Sequence, residues 1–231
     1  MAIIYRRKNK LKEAIHRQNI TIYITWISYF LIIFFAEENY AGIGFFMSSL
    51  MTMYCVKRKK IIKNGIEGEQ KALKVVENLS DNYHVFVNWE YEYEGRKSET
   101  DLIIVCRKGV FIVEVKNHNG RIVGRERDIK WRQHKIGKNG GKYYTEIYNP
   151  TKQVSTQVWR LSKNFREEKI RVWVQGIVYF VNDNVEIDVD TRKIPVLTRE
   201  QSLEEYLINL EVKNPMREKT MKNTIERIEN L

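Results

Sequence analysis

The chain has 231 residues, 43% hydrophobic and 30% charged, which is ample for a packed core. Its two cysteines, Cys55 and Cys106, have no metal-ligand spacing, so neither a disulfide framework nor a zinc site is readable and a reducing compartment fits. The net charge of +11 is concentrated at the N-terminal end: residues 1–19 hold six Lys/Arg against one Glu and residues 57–63 hold five with no acid, whereas the 168 residues from Asn64 onward hold 29 basic against 26 acidic. High basicity is therefore a weak argument for nucleic-acid binding by the globular part.

In chain order, Ile20 to Ala36 (ITIYITWISYFLIIFFA) and Tyr40 to Val56 (YAGIGFFMSSLMTMYCV) are each uncharged over 17 residues. Each covers about 25 Å as a helix, against a hydrocarbon core of about 30 Å. The pattern predicts two transmembrane helices, about 20–36 and 40–56, turning at Glu37-Glu38-Asn39 within a segment 1–63. Basic flanks on both sides of an acidic turn predict a multi-pass cell-membrane protein with both termini and the following domain in the cytoplasm. Membrane lipid is then the partner of residues 20–56. A pair of core helices in a soluble fold is the rival reading.

From Asn64 the texture changes. Ala72, Leu73, Val75, Val76 and Leu79 recur at helical spacing, predicting a helix over 66–79. Tyr83 to Tyr93 alternates and reads as a strand, and Glu94 to Ser98 as a turn. Leu102–Cys106 and Val110–Val115 are apolar strands joined at Arg107-Lys108-Gly109. Short β-like pieces follow near 121–123, 129–132 and 143–147, with KIGKNGGK (135–142) as a basic loop. Asn149-Pro150 starts a helix running to about Arg166. Strands near 171–181 and 194–197 precede helices over 200–210 and 216–231. The order predicts a mixed α/β domain around one sheet, flanked by helices, with 64–181 as its main part and 182–231 completing it.

The chemistry gathers on the hairpin. Glu114 and Lys116 are two apart and share a strand face, while Val113 and Val115 point the other way. A turn at 107–109 brings Asp101 opposite residues near 115. Two neighbouring carboxylates repel, and burying them is costly unless a cation neutralises them. Mg²⁺, with Mn²⁺ as a substitute, suits an oxygen set of Asp101, Glu114 and the Val115 carbonyl. Lys116 beside it suits the stabilisation of developing negative charge in phosphodiester hydrolysis. Charged residues in this D…ExK order also occur as solvated strand ends.

Gly65-x-x-Gly68-Glu69 at the head of a helix, then Asp101, GVFIVEVKNHNG (109–120), Trp131 and Asn149-Pro150-x-x-Gln153 together resemble the nuclease-related domain (NERD) of the PD-(D/E)XK superfamily. The resemblance covers about residues 64–181 and implies a restriction-endonuclease-like mixed sheet flanked by helices. It implies Asp101 as the first acid, with Thr100 in the place of the motif's proline, and Glu114 and Lys116 as its E-x-K. It implies Gln153 as a helix glutamine lining the site and Glu69 as an added acid at the metal. The expectation is a membrane-anchored, Mg²⁺-dependent nuclease acting on DNA, with Lys135, Lys138 and Lys142 touching phosphates. The alternative is a catalytically silent nucleic-acid-binding or sensing module on the same fold. His118, beside the site, is a candidate for assisting proton transfer.

Overall fold

The computed structural model describes residues 1–35, 38–137, 139–199 and 202–231. Two compact units emerge, one made of Asn9–Glu67 and the other of Met1–Lys8 with Gly68–Leu231. In the chain the two units meet between Glu67 and Gly68, and the first eight residues join the larger one.

The smaller unit holds α1 (Lys10–Phe35) and the first part of α2 (Glu38–Glu77). They run antiparallel, with Trp26 Nε1 donating to Thr52 Oγ1 (3.1 Å) and Lys59 Nζ to Asn19 Oδ1 (2.6 Å). The predicted helices are present but longer, and their expected role is overturned. Among the described residues no helix is long and apolar enough to cross a membrane. Uncharged is not the same as apolar: Thr21, Thr25 and Ser28 interrupt the first run, and Gly42, Gly44, Ser48, Ser49 and Thr52 the second. Several of these hydroxyls bond back to the helix, as Thr25 does to the Thr21 carbonyl and Thr52 to that of Ser48. The absence of such a span among the described residues contradicts the two expected transmembrane helices and the multi-pass cell-membrane localisation, and the lipid partner expected for residues 20–56 loses its basis in a membrane span. Of the expected acidic turn, Glu37 lies outside the described residues.

The predicted helix over 66–79 is the end of α2, which continues through the basic run 57–63 without a break. No proline stands in that stretch to stop it. Behind it come β2 (His84–Tyr93), β3 (Arg96–Cys106) and β4 (Gly109–Lys116), antiparallel neighbours in a sheet of six. β8 (Val174–Phe180) lies parallel to β4, and β10 (Val196–Thr198) parallel to β8. The N-terminal β1 (Ile3–Arg6), unexpected inside a basic flank, adds parallel to β2.

A second sheet replaces the expected single one. β5 (Gly120–Arg125), β6 (Lys130–Ile136) and β7 (Lys142–Tyr148) form it with β9 (Val185–Asp190), in the order β7-β6-β5-β9. The predicted 135–142 loop is therefore mostly the end of a hairpin, with Ile136 paired to Lys142. Indole and glycine fit together here. Trp131 is fully buried, and a Cβ on Gly124 would overlap its ring. Gly124→Ala should cost about 1–3 kcal/mol through overpacking, read as a lower urea midpoint at unchanged slope.

Alternation along β4 sorts the core into two layers. Phe111 and Val113 pack with Ala72, Val76 and Leu79 of α2 and with Leu203 and Leu207 of α4 (Leu203–Asn209). Val110 and Ile112 face Val154, Leu161 and Phe165 of α3 (Pro150–Glu167) and Ile228 of α5 (Glu218–Glu229). The start of the predicted 200–210 helix, Glu200 and Gln201, lies outside the described residues.

Candidate functional site

The site begins where a ladder ends. The last β3–β4 pair is Leu102↔Val113, so Asp101 lies just beyond it. On the other side, β2 pairs Val87 with Leu102 and Trp89 with Thr100, and Asn88 between them is left-handed (φ +53). Asp101 thus sits where both its neighbours leave regular pairing. Its Oδ2 accepts the Val115 N–H at 2.7 Å. In a strand the N–H and C=O of one residue point to the same side, so the Val115 carbonyl faces this edge as well.

Ile103 and Val105 share a face with Glu114 and Lys116, and α3 covers it. Glu114 is 3% exposed. Lys116 Nζ donates to Glu114 Oε1 at 2.5 Å and to Gln153 Oε1 at 3.2 Å. Gln157, one turn after Gln153, donates from Nε2 to Glu114 Oε2 (3.2 Å) and to the Glu99 carbonyl (2.8 Å). Gln157 was legible only as a helix-face neighbour of Gln153. Its spacing of four was the available signal.

The NPxxQ segment explains how α3 is aimed. Asn149 is fully buried and caps the helix, its Oδ1 accepting from Thr151 N (2.9 Å) and Thr151 Oγ1 (2.7 Å). Its Nδ2 donates to the carbonyls of Arg125, Glu126 and Asp128. One side chain therefore ties the start of α3 to the β5–β6 connection. Pro150 occupies the first turn, where no N–H is missed.

Burial, then the Glu114 charge, hold the Asp101 carboxyl well above the usual carboxylate range, opposed by Lys116 and the Val115 N–H. Glu69 adds to the rise, so its charge is felt at Asp101. It arrives there because Gly68 lets α2 approach β4, where a Cβ would lie 2.8 Å from the Asn117 Cβ. Among the described residues no three His, Cys, Asp or Glu side chains gather to hold a metal. Glu69 does not complete a three-carboxylate set. Two carboxylates and a strand-edge carbonyl could nonetheless hold Mg²⁺, which is commonly bound by one or two carboxylates with water completing its shell. The buried Gln157 Oε1, without a hydrogen-bond partner, is a further unsatisfied oxygen beside Glu114.

His118 follows the site, its ring 6.4 Å from that of Phe180. Burial, with the Lys116 and Lys135 charges, pushes its imidazole down to about 4. A base so weak is a poor partner for proton transfer at neutral pH. Folding keeps this ring neutral, so the unfolded chain binds the extra proton. Stability is full above the ordinary value of 6.5 and falls as pH drops toward 4. His118→Gln should remove about 1–2 kcal/mol of that acid-side loss, the ring being partly accessible. Urea unfolding of both proteins across this range checks it.

Of the predicted phosphate contacts, Lys135 ends β6 close enough to act on His118. Lys142 opens β7 and is exposed. Lys138 lies outside the described residues. Trp131, with Nε1 donating to the Arg125 carbonyl, is core and not a stacking surface.

Residues 64–181 match the family model described as nuclease-related domain. An uncharacterized protein of Bacillus anthracis is 32% identical over 87 residues, covering 36% of this chain and 41% of that protein. The chain thus spans about two fifths of the length of this curated relative. No solved structure matches. With the model matching half of its length, and with Asp101, Glu114, Lys116 and Gln153 brought together at one strand end, the chain belongs to the nuclease-related domain (NERD) family.

Proposed function

We propose that this protein is a metal-dependent nuclease that hydrolyses phosphodiester bonds of DNA on a restriction-endonuclease-like PD-(D/E)XK site. The observation that carries the reading is the convergence of Asp101, Glu114 and Lys116 at the splayed end of β3 and β4. Asp101, Glu114 and the Val115 carbonyl are the ligands in this proposal, and Mg²⁺ or Mn²⁺ bound there supplies polarisation of a phosphate oxygen and a water of lowered pKa. The raised Asp101 carboxyl supports the ligand set, because a cation offsets the repulsion between the two acids.

The other residues act on geometry and charge. Lys116 is a point cation at the end of the strand, suited to a non-bridging oxygen whose charge grows in the transition state. Gln153 holds the Lys116 ammonium from the helix side, and Gln157 holds the far oxygen of Glu114. Glu69 adds negative field toward the same cation. Lys135, whose charge acts on His118, and Lys142 on the second sheet are phosphate contacts in this proposal.

The test is cleavage of plasmid and oligonucleotide DNA by the full chain in Mg²⁺ or Mn²⁺, with EDTA as control. Metal-dependent product supports the reading. No product from several DNA and RNA substrates, together with metal binding that ignores Asp101→Asn, would overturn it and leave a silent binding module.

A further inference from the structure

Two adjoining concavities, of about 840 and 330 Å³, lie along the far half of α3 and share Ser162 and Arg166. Five cations line them: Lys163, Arg166, Lys169, Arg171 and Lys193. Among the described residues no carboxylate lines either one. The nearest acids on the helix are engaged elsewhere, Glu168 with Arg227 at 3.3 Å and Glu167 with the Tyr93 hydroxyl. None of the five cations has an ion-pair partner among the described residues. Other basic side chains of the same unit do, such as Arg121 with Asp188, Lys130 with Glu146 and Arg199 with Asp183. Two indoles flank the groove, Trp159 at 49% and Trp173 at 45% exposure, with Lys163 Nζ 5.7 Å above the Trp159 ring.

Lys169 has a further oddity. It stands just past the end of α3 in the left-handed region (φ +58). Its N–H reaches the Arg166 carbonyl, and that of Ile170 reaches the Phe165 carbonyl. This is the helix-ending arrangement in which glycine is usual. The chain carries a lysine there, aimed at the groove, at some expense in backbone conformation.

We propose that this groove binds the sugar–phosphate backbone of a single-stranded nucleic acid, with unpaired bases against Trp159 and Trp173. Unpaired cations suit phosphates, and half-exposed indoles suit base faces of any sequence. The groove deepens the nuclease reading and rests on it for its biological sense: it makes the substrate a polymer. Gln153 and Arg166 are 13 residues apart on one helix, roughly 20 Å along its axis. At the stacked spacing of about 3.4 Å a strand from site to groove holds about six nucleotides.

The experiment is fluorescence anisotropy of the full chain with a labelled single-stranded oligonucleotide of about 30 residues, in EDTA so that nothing is cut. Lys169→Gly is expected to raise Tm while weakening binding several-fold, a combination that misfolding does not produce. The triple variant Arg166→Ala/Lys169→Gly/Arg171→Ala should lower the slope of log affinity against log salt by about 2, at about 0.7 for each phosphate no longer neutralised. Unchanged affinity and slope in the triple variant overturn the groove, whether or not wild type cuts DNA in Mg²⁺. Lost affinity and slope with no cleavage by wild type uphold the groove and count against the nuclease reading alone.

Discussion

Glu114→Ala is expected to lower metal-dependent DNA cleavage by about 10²–10³-fold, the scale of removing one preorganised charge from a reacting centre. The structure gives the substitution two further signatures. Glu114 is the partner of Lys116 at 2.5 Å and of Gln157 at 3.2 Å, so both lose an anchor. Its charge also raises the Asp101 carboxyl, so its removal relieves a repulsion. Without metal the variant should melt below wild type, because a buried ion pair and a buried acceptor are lost and the relieved repulsion offsets only part of that. With Mg²⁺ the wild type alone should gain stability, by RT ln(1 + [Mg²⁺]/Kd). Thermal melts with and without Mg²⁺ check this beside the cleavage assay. Equal cleavage by variant and wild type would remove Glu114 from the chemistry.

Asn149→Ala should destabilise the larger unit by about 2–4 kcal/mol, a lost helix cap plus buried carbonyls without donors. For a chain of this size that is a fall in Tm of about 5–15 °C. Asn149→Asp separates the two contributions. Aspartate caps a helix as well as asparagine does, but it cannot donate to the carbonyls of Arg125, Glu126 and Asp128. Asp should therefore fail to restore stability. A Tm for Asn149→Asp equal to wild type would show that capping alone is what Asn149 does. Cleavage should fall in both variants, since Gln153 stands one turn along the helix that Asn149 aims.

Much of the site was legible in the chain. The alternation of GVFIVEVK places Glu114 and Lys116 on one face in any strand, and the short turn at 107–109 returns Asp101 to their level. The spacing of Asn149, Pro150 and Gln153 marks a helix start with a glutamine one turn in. Less legible were contacts that come from far along the chain. β1 pairs with residues some eighty positions away, and β9 lies parallel to β5 across sixty-odd residues. Strand pairing of that kind leaves no local mark beyond alternation, which VEIDVD shows and which alone does not choose a partner. The runs 20–36 and 40–56 lack charge but carry hydroxyls and glycines, and among the described residues no helix is long and apolar enough to cross a membrane.

What the sequence by itself determined is the chemistry on offer: two acids, a lysine and a helix glutamine at strand and helix periods, which are local properties of the backbone. What only the tertiary structure decided is how they meet. Asn88 breaks the ladder beside Asp101, Gly68 lets α2 bring Glu69 within electrostatic reach, and Asn149 points α3 so that Gln153 and Gln157 hold Lys116 and Glu114. Each depends on close packing between segments distant in the chain, and packing is a property of the assembled core that no period in the sequence encodes.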